Sequence, residues 1–220
     1  MAAGGKAAAA GQAWIVFEDE SGCVLRPPHA KTWGRRGQTP IVTVRGRGSG
    51  RVNIAGLTCY RHGQRSRLFF RLLVYHGRKN EKKGFGWQDY RDLLTAAHQQ
   101  LGAPLIVIWD NARTHWMPGI TEFAAEHDWL TLVALPKYAP EINPTEGIWS
   151  LIKRGPLANL VPVGLDEVAG TVRFALKRIQ YRPELVDGCL AETGLVIHPV
   201  LLQNPATGCD LGVKPLFDTR

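Results

Sequence analysis

Three carboxylates stand where the hydrophobic pattern places the ends of structural elements. Asp19 directly follows an apolar run in F-E-D-E-S-G, and Asp110 directly follows another in L-I-V-I-W-D-N. Glu146 opens a helical pattern entered through L-P-K-Y-A-P-E-I-N-P-T-E. Acids at the ends of two central strands converge at one edge of an open α/β sheet, where such folds place their sites. A helix crossing that edge delivers the third. Converging acids repel one another and are costly unless a cation lies between them. Hard oxygen donors without a His or Cys cluster point to Mg²⁺ or Mn²⁺ rather than zinc. Two such ions, about 3.5–4 Å apart, clamp the attacking and leaving oxygens of a phosphoryl transfer. The expectation is a two-metal site in which Asp19, Asp110 and Glu146 are at once the catalytic and the metal-binding residues.

Each acid also has a local explanation. Asp19 lies in a Glu18-Asp19-Glu20 trio that would solvate or cap a strand end. Asp110-Asn111 is a common turn pair. Glu146, third after Asn143, suits a capping box. None of these roles requires three acids in the order strand, strand, helix, and it is the combination that favours a site.

The elements that must position them follow from periodicity. Ala13 to Glu18 is a short continuous apolar run of the kind found in a buried central strand. Ile41 to Arg45, Arg51 to Tyr60 and Arg67 to Tyr75 are rich in β-branched and aromatic residues between Gly-containing turns, and predict antiparallel strands. Trp87, Tyr90, Leu94, Ala97 and Leu101 step by three or four and predict an amphipathic helix ending near Gly102. Leu105 to Trp109 predicts a second buried strand, Pro118 to His127 a short helix, and Leu130 to Leu135 a further strand. Asn143 to Arg154 predicts a helix with Pro144 at its first position, and Val168 to Ile179 a last one. Strands followed by alternation imply an α/β fold with a mixed sheet flanked by helices on both faces. Residues 1–12 read as a flexible Ala/Gly-rich tail, 13–182 as one domain, and 183–220 as a loosely packed C-terminal tail.

Charge suggests what the site acts on. The net charge is +8, yet the segment from Ser21 to Asn80 holds 13 Lys or Arg and no acid, which leaves 14 basic against 19 acidic residues elsewhere. An acid-free basic segment is compensated by a polyanion, and nucleic acid is the leading candidate. Cys23, Cys59, Cys189 and Cys209 are too scattered for a disulfide framework or a zinc module. No apolar run is long enough to span a membrane, and Ala7 to Ala10 is too short for the core of a signal peptide. Cytoplasmic residence follows.

The segments W-I-V-F-E-D-E-S-G, L-I-V-I-W-D-N-A-R-T-H and L-P-K-Y-A-P-E-I-N-P-T-E-G-I-W-S-L-I-K resemble the three blocks of the DDE transposases, and most closely those of the mariner-like superfamily in its bacterial insertion-sequence branch. The resemblance covers about Trp14 to Lys153. It implies a ribonuclease H-like fold and carries the catalytic acids to Asp19, Asp110 and Glu146, with 35 residues between the last two. It further implies Mg²⁺ or Mn²⁺ as a pair of ions, DNA partners (element ends and target), a homodimer and association with the bacterial nucleoid. Arg35, Arg36, Arg45, Arg47, Arg113, His115 and Lys137 are the expected DNA contacts; Asn111 and His115, both in the matched second block, are expected to bind the DNA strand or to orient ligands. Trp33, Gly34 and Gly37 resemble the family's W-x-x-x-G segment, read as structural; Trp149 is read as core, and Glu20 as a partner of the acids or as surface. Family members carry a helix-turn-helix region before this domain, and only the Ala/Gly tail precedes Trp14. The chain therefore reads as a catalytic half whose recognition half is separately encoded or lost. The alternative is a non-catalytic DNA-binding or dimerising fragment that regulates a full-length enzyme.

Overall fold

Ten residues, Trp14–Cys23, form β1, and their side chains alternate between two cores. Ile15 and Phe17 face one, Trp14 and Val16 the other, as period-two geometry requires. The computed structural model describes residues 12–197 apart from 27, 29–30, 32, 39–40, 42, 44–49 and 137–138. Much of the strand expected at Ile41 to Arg45 thus lies outside the described residues. So does the tail before residue 12.

β2 (Arg51–Tyr60) and β3 (Arg67–Tyr75) continue the sheet antiparallel from one side of β1. β4 (Leu105–Trp109) and β5 (Leu130–Ala134) continue it parallel from the other, giving the order β3-β2-β1-β4-β5. Helices α1 (Trp87–Leu101) and α2 (Pro118–Glu126) cover one face, where Tyr90, Leu94, Ala97 and Ile120 join Trp14, Val16, Val107 and Trp109. Helices α3 (Pro144–Arg154), α4 (Leu165–Gln180) and α5 (Pro183–Glu192) cover the other, where Trp149, Val172, Leu176 and Val186 join Phe17, Ile54 and Ile108. The five strands and both helical layers match the mixed-sheet expectation.

Two boundaries differ from it. β1 does not end before Asp19 but runs on to Cys23, because β2 stays paired with it over Cys23↔Val52 after β4 has stopped at Phe17↔Ile108. Residues from Pro183, expected in a loose tail, begin with α5, which buries Val186 and Cys189. Its docking uses long-range contacts invisible to local periodicity. Tyr60 Oη donates to the Val186 carbonyl at 2.9 Å, and a Cβ on Gly147 would stand 2.8 Å from Cys189 Sγ. Residues 198–220 lie outside the described residues. Cys23, Cys59 and Cys189 are buried and free.

Candidate active site

The sheet register brings two of the acids side by side. Phe17 is the last residue of β1 paired with β4, opposite Ile108. Two residues further along each strand direction come Asp19 and Asp110, at the same level where the sheet opens beyond the end of β4. Asp19 shares the parity of Ile15 and Phe17 and so lies on the α3 face. Asp110 shares the parity of Ile108, which contributes to the same core.

Helix α3 supplies the third acid, and its N-cap with two of its residues clamps it onto the sheet. Asn143, the N-cap, accepts from Thr145 N–H at 3.1 Å and donates through Nδ2 to the Glu18 carbonyl at 3.2 Å. Thr145 Oγ1 donates to the Phe17 carbonyl at 3.0 Å and lies 2.8 Å from Thr58 Oγ1. One turn on, Trp149 Nε1 donates to Asp19 Oδ2 at 2.7 Å. Glu146 and Trp149 are spaced i, i+3 and share a helix face, so the hydrogen bond that orients Asp19 also sets Glu146 over it. The cap is made by the Asn143 side chain alone, and Asn143 N–H donates to the Pro140 carbonyl. Glu146 takes no part in a capping box.

Asp19, Asp110 and Glu146 line one cavity of about 440 Å³ together with Asn111, Leu135, Pro136, Ala139, Pro140 and Asn143. Burial lifts the Asp19 carboxyl to about 7, with Glu146 and then Asp110 pushing the same way against the Trp149 N–H. That mutual repulsion is what a cation relieves. Asp110 Oδ1 accepts from Ala112 N–H at 2.8 Å, so the Asp-Asn turn anticipated from sequence exists while the carboxylate still borders the cavity. Asn111 Nδ2 donates to the Leu135 carbonyl at 2.9 Å and ties the β4 and β5 loops together.

The donor set suits Mg²⁺ or Mn²⁺. Among the described residues no three metal-binding side chains converge into a closed cluster. Mg²⁺ sites of phosphoryl-transfer enzymes rarely have one, since waters and substrate phosphates complete the shell around one or two carboxylates. Asp19, Asp110 and Glu146 would hold such ions here.

Other expected residues fare differently. His115, expected to bind the DNA strand or to orient ligands, is 2% exposed, which leaves the second role. Its ring stacks on Trp109 with centroids 4.8 Å apart, its Nδ1 lies 2.7 Å from Asp110 Oδ1, and its Nε2 lies 3.2 Å from Glu18 Oε2. Arg35 and Arg36 are exposed in the β1–β2 connection; Arg45, Arg47, Lys137 and the Arg113 side chain lie outside the described residues. Trp33 is 99% exposed rather than structural packing. Nor do the described basic residues of that segment share one face. The β2–β3 hairpin carries Arg51 to the cavity end and Arg61 and Arg65 to the opposite end, and Arg71 is drawn to Asp89 and Asp92.

Sequence reasoning missed two partners of the acids. Trp149, read as core, is buried at 1% exposure but also binds Asp19, and its i+3 spacing from Glu146 was the available signal. Glu18, read with its neighbours as solvating a strand end, is 1% exposed. Its signal was parity, since it falls on the buried side with Trp14 and Val16. Burial raises its carboxyl well above the usual range, Asp19, Glu20 and Asp110 adding to the effect, while burial lowers His115 against the pull of Asp110. Both directions favour neutral partners over an ion pair.

The fold has relatives among solved structures. Crystal structures of the Mos1 mariner transposase align with the chain at low identity. The paired-end complex with Mg gives 18% identity and a TM-score of 0.53, covering 82% of this chain and 55% of that one. The paired-end complex with the left transposon end gives 18% and 0.51, again covering 82% and 55%. The chain thus spans about half the length of those transposase chains. It has their ribonuclease H-like fold. No curated protein sequence matches it. A family model described as DDE superfamily endonuclease matches residues 14–160, the stretch that runs from the start of β1 through Asp19, Asp110 and Glu146 and past the end of α3. By that match, across two thirds of its length, the chain belongs to the DDE superfamily endonucleases.

Proposed function

We propose that this chain carries the catalytic domain of a transposase of the bacterial insertion-sequence branch of the mariner-like superfamily. It cuts and rejoins DNA with Asp19, Asp110 and Glu146 as its metal-binding catalytic acids. The observation that carries the reading is the single cavity bordered by all three, supplied by β1, the end of β4 and the first turn of α3. When bound, two Mg²⁺ or Mn²⁺ ions supply Lewis-acid activation of the phosphate and of the attacking oxygen.

The chain's own residues then have separable tasks. Trp149 and the Asn143–Thr145 clamp hold Asp19 and Glu146 in register, and the Ala112 N–H holds Asp110. In the cutting step a water oxygen bonds to phosphorus, the bond to the 3′ oxygen breaks, and that oxygen leaves as a 3′-hydroxyl beside a 5′-phosphate. In the joining step the 3′ oxygen bonds to a target phosphorus and displaces the target's own 3′ oxygen. The rest of the reading is a homodimer that binds element ends and target DNA at the bacterial nucleoid. Among the described residues no helix is long and apolar enough to cross a membrane.

The test is metal-dependent nicking by purified protein. Asp19→Asn, Asp110→Asn and Glu146→Gln each keep shape but remove a negative ligand. Each is expected to abolish nicking while DNA binding is kept or slightly tightened, because repulsion of phosphate falls. A fully active Glu146→Gln would show that the residue serves the helix and not the chemistry.

A further inference from the structure

Glu18 is a buried carboxyl that the proposed reaction does not use. It leaves β1 on the face opposite Asp19 and is 1% exposed. Its Oε2 lies 3.2 Å from His115 Nε2, and the other ring nitrogen, Nδ1, lies 2.7 Å from Asp110 Oδ1. One imidazole therefore spans from a buried carboxyl to a carboxylate of the cavity. The ring has little freedom, being stacked on Trp109 at 6° and set edge-on to Tyr90 at 83° with centroids 5.2 Å apart. Within that slot the neighbour at Nε2 decides which nitrogen faces Asp110 and in which tautomer.

The arrangement is costly unless it serves something. Neither Glu18 oxygen and neither His115 nitrogen has an aligned hydrogen bond, close as they lie. Burying a carboxyl without full compensation is destabilising, and an apolar side chain of similar volume commonly stabilises such a position. Asp110 explains what the expense achieves. Its Oδ1 takes the Ala112 N–H and faces His115, while no contact of the described residues engages Oδ2.

We propose that Glu18 is a positioning residue of the active site: through His115 it fixes the Asp110 carboxylate with Oδ1 held by the protein and Oδ2 left for the divalent ion. The proposal rests on Asp110 being a metal ligand, as read above. Outer partners of metal-binding groups commonly set affinity by about 10–100-fold. A histidine bridging a buried carboxyl to a ligand is an arrangement of that kind.

The experiment measures Mn²⁺ affinity of the full chain by electron paramagnetic resonance, with thermal unfolding of the metal-free protein alongside. Glu18→Leu is expected to melt no lower than wild type but to lose about 10–100-fold in Mn²⁺ affinity, and the Mg²⁺ needed for half-maximal nicking should rise in proportion. Glu18→Gln, which still reaches Nε2 as donor or acceptor, should restore near wild-type affinity. A folded Glu18→Leu with unchanged Mn²⁺ affinity overturns the proposal. Should that variant not fold, His115→Asn carries the same expectation and the same refutation. Mn²⁺ binding that survives Asp110→Asn unchanged would overturn the underlying reading of Asp110, whatever Glu18 does.

Discussion

A single methyl group placed 56 residues into the chain should disable the site from behind. Gly56 pairs with Asp19 across the β1–β2 ladder, and a Cβ there would stand 2.6 Å from Trp149 Cη2 and 3.1 Å from Cζ2. Carbon atoms pack at about 3.5–4.0 Å, so Gly56→Ala forces the indole back by roughly 1 Å. The ring is 1% exposed and has no empty side to retreat into. Overpacking of this kind costs about 1–3 kcal/mol. The same displacement stretches the 2.7 Å bond from Nε1 to Asp19 out of hydrogen-bonding range, and a bond to a charged group is worth about 1.5–3 kcal/mol. The lower conformational entropy of Ala in the unfolded chain returns about 0.4–1 kcal/mol. A net loss of about 1.5–5.5 kcal/mol follows, a large share of a typical domain's stability. Urea unfolding of Gly56→Ala measures it, and Trp149→Phe completes the cycle, since Phe vacates the space taken by the outer indole ring. Gly56→Ala should cost much less in the Trp149→Phe background than in wild type. A single variant within about 0.5 kcal/mol of wild type, or strictly additive losses, would refute the packing argument.

Thr145→Val removes the hydroxyl that joins Thr58 to the Phe17 carbonyl in a fully buried position, and should lower stability by about 1–3 kcal/mol in chemical denaturation. Nicking should fall further than stability explains, because Glu146 is carried on the same turn. Ending the chain after Arg182 removes the buried side chains of Val186 and Leu195. At about 1.5–3 kcal/mol each, the truncated protein should melt well below the full chain, whereas a loosely packed tail would have changed nothing.

Most of the elements and all three candidate acids could be read from the chain because both signals are local. The β-branched and aromatic enrichment of β2 and β3 between Gly-containing turns and the three-to-four-residue stepping of Trp87 to Leu101 are each carried within one element. An acid after an apolar run needs no knowledge of distant residues. What the tertiary structure decided was which side of each element faces what. β1 outlasts β4 because β2 continues to pair with it, so Asp19 lies inside a strand, where alternation turns Glu18 inward and Asp19 toward α3. His115 looks like a solvent-facing histidine until the turn after β4 folds it under Trp109. The basic run from Ser21 to Asn80 reads as one charged patch until the hairpin sends its arginines to opposite ends of the sheet. Pro183–Glu192 has only a weak apolar stripe, and becomes core because Gly147 lets its backbone approach α3. Burial is a property of the partner as much as of the residue, and for Asp19 on β2 and for α5 on α3 the partner lies dozens of residues away.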